Sequence, residues 1–275
     1  HLEAFDWNLI AGKALGERSF HPAFDKLFEF GIDPPEGSQP SDQPADWPRV
    51  AEVRDYNRRV RERLDSWIVN APEQTVHVAI EHRLMHAETL AYLLHGLDYA
   101  RKRPQHSAAF PNRGREGADS TIEIPSGIAT LGQSRDAFGW DNEFNRHEVE
   151  VPAFRIAKHK VTNAEYLEFV RAGAPAPHFW IRRGDRWFWR GMFEEIPLPP
   201  DWPVYATQHE AAQYARWKGL HLPTEPQFHR AAFGSVVGRE PSYPWGDKSP
   251  AAWHGNFDFA RWEPAPVTAY PGGDS

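Results

Sequence analysis

Glu81-His82-Arg83-Leu84-Met85-His86-Ala87-Glu88-Thr89-Leu90 sets two histidines one helical turn apart. The four-residue step puts both imidazoles on one face of a helix, which is how many metal sites begin. A zinc protease uses the same step but needs a glutamate directly after the first histidine as general base. That position is Arg83, which speaks against hydrolytic zinc chemistry. Taken alone, the pair is as compatible with a structural role as with metal binding. Val78, Met85, Thr89 and Leu93 recur in phase with the histidines, so an amphipathic helix is expected over residues 74–97, with His82 and His86 on its core-facing side.

Outward from that helix, residues 1–105 read as helical. Residues 2–15 form one expected helix, and the Pro- and Gly-rich residues 31–44 a long loop. Asp46-Trp47-Pro48 gives a helix start with Pro48 near the first turn. It is followed by Val50, Val53, Val60, Leu64 and Trp67 at helical spacing, with Arg54, Arg58, Arg59, Arg61 and Arg63 mostly on the wet side. Residues 106–120 lack periodicity and read as a linker. From 121 to 275 the texture changes to short alternating stretches such as Thr121-Ile122-Glu123-Ile124 and His147-Glu148-Val149-Glu150-Val151, which predict strands. Two helices are expected there, one capped at Thr162-Asn163 and one over residues 208–217 stopped by Gly219. Nine of the 12 tryptophans lie from Trp140 onward, which predicts an irregular, loop-rich domain held by buried rings. The fold class is therefore α+β in two domains, 1–105 and 121–275.

Composition excludes several functions. Lys and Arg number 31 against 38 Asp and Glu, a net charge of −7 with no basic stripe, so no nucleic-acid partner is expected. No apolar run is long enough to span a bilayer, so a cytoplasmic protein acting on small molecules is the default expectation. Cysteine is absent, which removes disulfides and catalysis by a protein thiol. The start at His1 and the end at Pro271-Gly272-Gly273-Asp274-Ser275 read as cuts within a longer chain.

The second half carries Ile124-Pro125-Ser126-Gly127, Val161-Thr162-Asn163-Ala164-Glu165-Tyr166, Trp202-Pro203-Val204-Tyr205, Leu222-Pro223-Thr224-Glu225 with Phe228 and Arg230-Ala231-Ala232, and Tyr243-Pro244-Trp245-Gly246-Asp247. These motifs, in this order, resemble the domain shared by formylglycine-generating enzymes, sulfatase-modifying factors and ergothioneine-type sulfoxide synthases, a variant of the C-type lectin fold. The formylglycine branch works through cysteine thiolates, which this chain lacks. The first half resembles the DinB-like four-helix bundle that precedes this domain in ergothioneine and ovothiol sulfoxide synthases. In those enzymes one histidine of the opening helix and a later His-x-x-x-His pair hold a mononuclear iron. The resemblance carries these ligands onto His1, His82 and His86.

What the resemblance implies is an enzyme that uses Fe(II) and dioxygen to join a thiol such as cysteine or γ-glutamylcysteine to the imidazole of histidine or trimethylhistidine (hercynine), leaving a sulfoxide. Its substrates would lie between the bundle and the lectin-like domain. Three neutral imidazoles on one side of an iron leave coordination positions free for substrate and dioxygen. Met85 stands where ergothioneine enzymes commonly carry a glutamine that helps hold the substrate imidazole. Met85, Asp141 and Asn142 are the substrate-binding candidates, with a local Asx turn the competing role for the last two. Glu88 is either a partner to a ligand histidine or a solvated helix carboxylate. His77 and His95 fall off the ligand face and read as surface or rim residues. The family's catalytic tyrosine lies beyond residue 275. Competing readings are the same scaffold with a selenium donor, as in selenoneine synthases, a non-catalytic lectin-like binding protein, and a DinB-like thiol transferase holding zinc or nickel.

Overall fold

The computed structural model describes residues 1–28, 44–103, 120–234 and 239–273. The expected loop over 31–44 lies outside them apart from Pro44, and the expected linker over 106–120 apart from Ser120. The chain divides into two compact units, His1–Tyr92 with Arg135–Phe144, and Leu93–Ser134 with Asn145–Ser275.

In the first unit, α1 (Leu2–Asp6) runs on as a π-helical stretch over Trp7–Ala14. Ala4, Trp7, Ile10 and Ala11 line its buried face. They pack against Tyr56, Val60 and Leu64, spaced four apart on α3 (Val50–Trp67). Each large side chain so buried contributes about 1.5–3 kcal/mol. The short α2 (Pro22–Leu27) completes this core through Phe28, just past its end. α3 begins two residues later than the Pro48 signal suggested. The Glu52 carboxylate accepts the Arg49 backbone N–H at 2.8 Å, which makes Arg49 the cap and leaves Val50 exposed in the first turn.

α4 (Glu73–Gly96) occupies nearly the expected residues, but its buried face is turned. Ala79 and His82 are buried, whereas Met85 and Leu93, expected on the same side, are 50% and 57% exposed. The cause lies at Arg83. Its guanidinium pairs with the buried carboxylates of Glu3 and Asp6 on α1, which rotates the helix toward Arg83 and leaves Met85 on the flank.

In the second unit, β1 (Thr121–Ile124) pairs antiparallel with β4 (Phe154–Ala157), and β2 (Gly127–Leu131) with β3 (His147–Val151). A three-stranded antiparallel sheet follows in the order β5 (Trp180–Arg183), β6 (Arg186–Arg190), β7 (Glu195–Pro197). Thr162 caps α5 (Asn163–Arg171) through a capping box with Glu165, and Thr207 caps α6 (Gln208–Trp217) through one with Glu210. Gly219 ends α6 at φ +72°, a conformation open to glycine at little cost.

The structure adds a third helix to the two expected here, α7 (Glu225–Phe233). At nine residues, with Pro226 in the first turn, it has too little periodicity to stand out. Its start is nevertheless written in the Thr224–Gln227 capping box. The aromatic core is Tyr166, Trp180, Trp189, Trp202 and Tyr214, with Trp180 and Trp189 directly paired across β5 and β6.

The quoted motifs meet in space. Asn163 donates its backbone N–H to the Trp202 carbonyl at 2.8 Å, and Val204 donates to Val161 at 2.9 Å. Arg230 runs beneath Gly127, where a Cβ would stand 2.6 Å from the guanidinium, and donates to the Pro125 carbonyl.

Candidate metal centre

α1 and α4 deliver the site. His1 precedes the first turn of α1, while His82 and His86 occupy successive turns of α4. His86 Nε2 lies 3.2 Å from His82 Nε2, and His1 Nε2 lies 3.4 Å from the same atom. One ligand nitrogen from each ring falls within 4.8 Å of the other two. Three imidazole nitrogens this close cannot all be satisfied by hydrogen bonds to one another, since each neutral ring brings a single N–H. Nitrogens about 2.1 Å from a shared ion stand about 3 Å apart at right angles, so these separations fit a bound metal.

The surroundings set the rings for that role. His1 Nδ1 donates to the Phe28 carbonyl at 2.7 Å, which places its proton on Nδ1 and leaves the Nε2 lone pair free. The Phe5 ring stacks on His82 with centroids 3.7 Å apart and planes 18° from parallel. His82 is 6% exposed, and its Nδ1 has no hydrogen-bond partner among the described residues. Burial, then the neighbouring His86 and Arg83, push its pKa down to about 4, so the ring stays neutral and able to ligate through the neutral pH range.

Around this triad lies a charged network that sequence reading did not find. Arg83 donates from Nε to Asp6 Oδ2 at 2.8 Å and from Nη2 to Glu3 Oε2 at 3.0 Å, and Arg61 on α3 reaches Glu3 Oε1 at 2.6 Å. Burial raises the pKa of Asp6 against the opposing hydrogen bond from Arg83. The available signal was two acids three residues apart on an otherwise apolar helix.

The remaining candidates stand apart in the contacts they make. Met85 is half exposed. Asp141 and Asn142 are exposed at the start of a single 3-10 turn over Asp141–Glu143, and Asp141 Oδ1 accepts the N–H of the next residue, Asn142, at 3.0 Å. Their segment belongs to the first unit, where Gln74 donates to the Gly139 carbonyl at 3.0 Å and His77 meets Phe138 edge-on. Glu88 is exposed. His95, expected at the surface or rim, is half-buried. Its Nε2 donates to the Arg190 carbonyl at 2.9 Å, and Arg190 in return donates to the carbonyls of His95, Gly96 and Leu97. This pairing closes the C-terminus of α4, where free carbonyls favour a cation. Trp189, one of the tryptophans clustered after Trp140, is 2% exposed.

Among the described residues no helix is long and apolar enough to cross a membrane. The hercynine oxygenase of Mycolicibacterium thermoresistibile is 33% identical over 98% of this chain and 65% of its own length. That of Mycolicibacterium smegmatis is 34% identical over 82% of this chain and 58% of its own. Ergothioneine biosynthesis protein 1 of Neurospora crassa is 28% identical over 73% of this chain and 30% of its own. The chain thus spans less than two thirds of the length of these relatives. The family described as the sulfatase-modifying factor enzyme 1-like domain matches residues 106–273, and the chain, with its mixture of short strands and capped helices, belongs to that family.

Proposed function

We propose that this chain is the metal-binding part of an oxygen-dependent sulfoxide synthase of the ergothioneine type, with hercynine as acceptor and a thiol such as cysteine or γ-glutamylcysteine as sulfur donor. The observation that carries the reading is the convergence of His1, His82 and His86 through their Nε2 atoms. The names of the relatives, two hercynine oxygenases and an ergothioneine biosynthesis protein, support the acceptor and the pathway. On this reading residues 1–105 are a DinB-like helical domain, residues 106–120 a linker, and residues 121–275 the sulfatase-modifying-factor-like domain.

The three histidines would hold Fe(II), a metal well served by imidazole ligands. When bound there, iron supplies redox chemistry toward dioxygen and Lewis acidity toward a thiolate. The protein's own contribution is to keep three lone pairs aimed at one point. The Phe28 carbonyl fixes the His1 tautomer, and Phe5 restrains the His82 ring. None of these 275 residues is a cysteine, so this part of the protein presents no thiol to compete with the substrate sulfur. In the overall reaction the thiol S–H and an imidazole C–H are lost, a carbon–sulfur bond forms, one oxygen atom of dioxygen goes to sulfur and the other leaves as water. Met85, Asp141 and Asn142 are assigned to the substrate side of the site.

The test is to load the full-length protein anaerobically and then incubate it in air with hercynine or histidine and each thiol, followed by mass spectrometry. The expected result is about one Fe(II) per chain, lost in His82→Ala, and a sulfoxide product. No carbon–sulfur product in any mixture, or unchanged iron binding in His82→Ala, sinks the proposal.

A further inference from the structure

We infer that Arg83 is a positioning residue for the three-histidine site, acting with Glu3 and Asp6 as a clamp that sets the two ligand-bearing helices in register before metal arrives. The inference rests on the metal-site reading above and concerns how that site is built. Glu3 and Asp6 lie on α1, two and five residues after His1, and their side chains are only 5% and 7% exposed. Arg83 follows His82 directly on α4 and reaches both carboxylates, at 3.0 Å to Glu3 and 2.8 Å to Asp6.

Burying two carboxylates is costly, and apolar packing of the same volume often holds helices together as well or better. The arrangement must therefore be explained by something other than adhesion. A guanidinium is a rigid planar fork. Engaging two acids one turn apart, it fixes how far α1 has slid and turned against α4, which apolar side chains leave loose. A ligand set drawn from two helices needs that control, because a working site tolerates errors of only about 0.5 Å. Arg61 supplies an internal comparison. It pairs with the other oxygen of Glu3 at 2.6 Å but comes from α3, which carries no ligand.

The experiment titrates the full-length apoprotein with Co(II), following the visible absorption of the bound ion, alongside thermal unfolding of the apo form. The variant Glu3→Gln, Asp6→Asn, Arg83→Met removes the clamp without stranding a buried charge. It is expected to stay folded, to bind Co(II) about 10- to 100-fold more weakly, and to show a broadened spectrum. Arg61→Met is expected to keep wild-type affinity and spectrum, whatever it does to the unfolding temperature. A folded triple variant with wild-type affinity and spectrum overturns the inference. So does Arg61→Met weakening binding as much as the triple variant, since the effect would then be general stability. If the triple variant does not fold, Arg83→Lys decides. It keeps the charge and loses the fork, so weaker binding supports the clamp and unchanged binding overturns it. Wild-type protein that binds no Co(II) fails the metal-site reading itself, and the clamp falls with it.

Discussion

The two units both bury apolar side chains but differ in the polar groups they bury with them. The first buries Glu3, Asp6, Asp25 and His82 among its helices, and the second buries Tyr166, Trp180, Trp189, Trp202 and Tyr214 with Asn163 and Arg230 as its buried polar groups. In the first, Tyr56 donates to Asp25 at 2.6 Å and two arginines converge on Glu3, so the core is partly an ionic lattice. In the second, rings meet edge-on or stacked, as with Tyr166 and Tyr214 at 5.3 Å. Aromatic packing gives stability at low polar cost. Buried charge gives less stability and more definition. Of this charge, Glu3 and Asp6 are bound by Arg83, the neighbour of His82 on α4.

That contrast can be broken. Trp189→Ala should produce the largest stability effect, a loss of about 3–5 kcal/mol, because the ring is buried and its Nε1 donates to Glu263 at 3.2 Å. Denaturant unfolding measures the loss, and metal titration in the native range should show the histidine site unaffected. Loss of metal binding at the same time would show that the two interiors do not act independently.

A smaller effect concerns pH. Folded His82 titrates near 4, whereas an exposed imidazole titrates near 6.5, so the unfolded chain takes up the proton first. The stability of the metal-free protein should therefore fall as pH drops from 6.5 toward 4, with no further contribution from this group below that. His82→Gln should lack this component. The titration of Asp6, which works in the opposite direction, is common to both proteins and cancels in the comparison. Equal pH profiles for the two proteins would remove His82 from the set of buried neutral groups. The smallest expected change is in Thr162→Ala, which takes away the α5 cap and should cost the second unit about 1 kcal/mol, readable as a shift in the denaturant midpoint.

Much of the second unit was legible because its signals are local. Thr162 with Glu165, and Gly219 after α6, each act within a few residues, and the structure shows both caps where the sequence put them. α7 was missed because Pro226 and a short span masked a capping box of the same kind. On α4 the spacing gave the helix and the relative phase of His82 and His86, but not the rotation that leaves Met85 exposed. The partner of His95 was not legible, because Arg190 lies 95 residues away.

The sequence by itself determined which side chains could share a helical face, which motifs mark the family, and that none of these 275 residues is a cysteine. Periodicity and capping are short-range, and they survive in a linear reading. Only the tertiary structure decided that the His1 ring comes within 3.4 Å of His82 across 81 residues of chain, and that Arg83 meets Asp6 across 77. A pairing between distant residues has no period. It exists only once the hydrophobic faces of α1, α3 and α4 have brought their polar residues together.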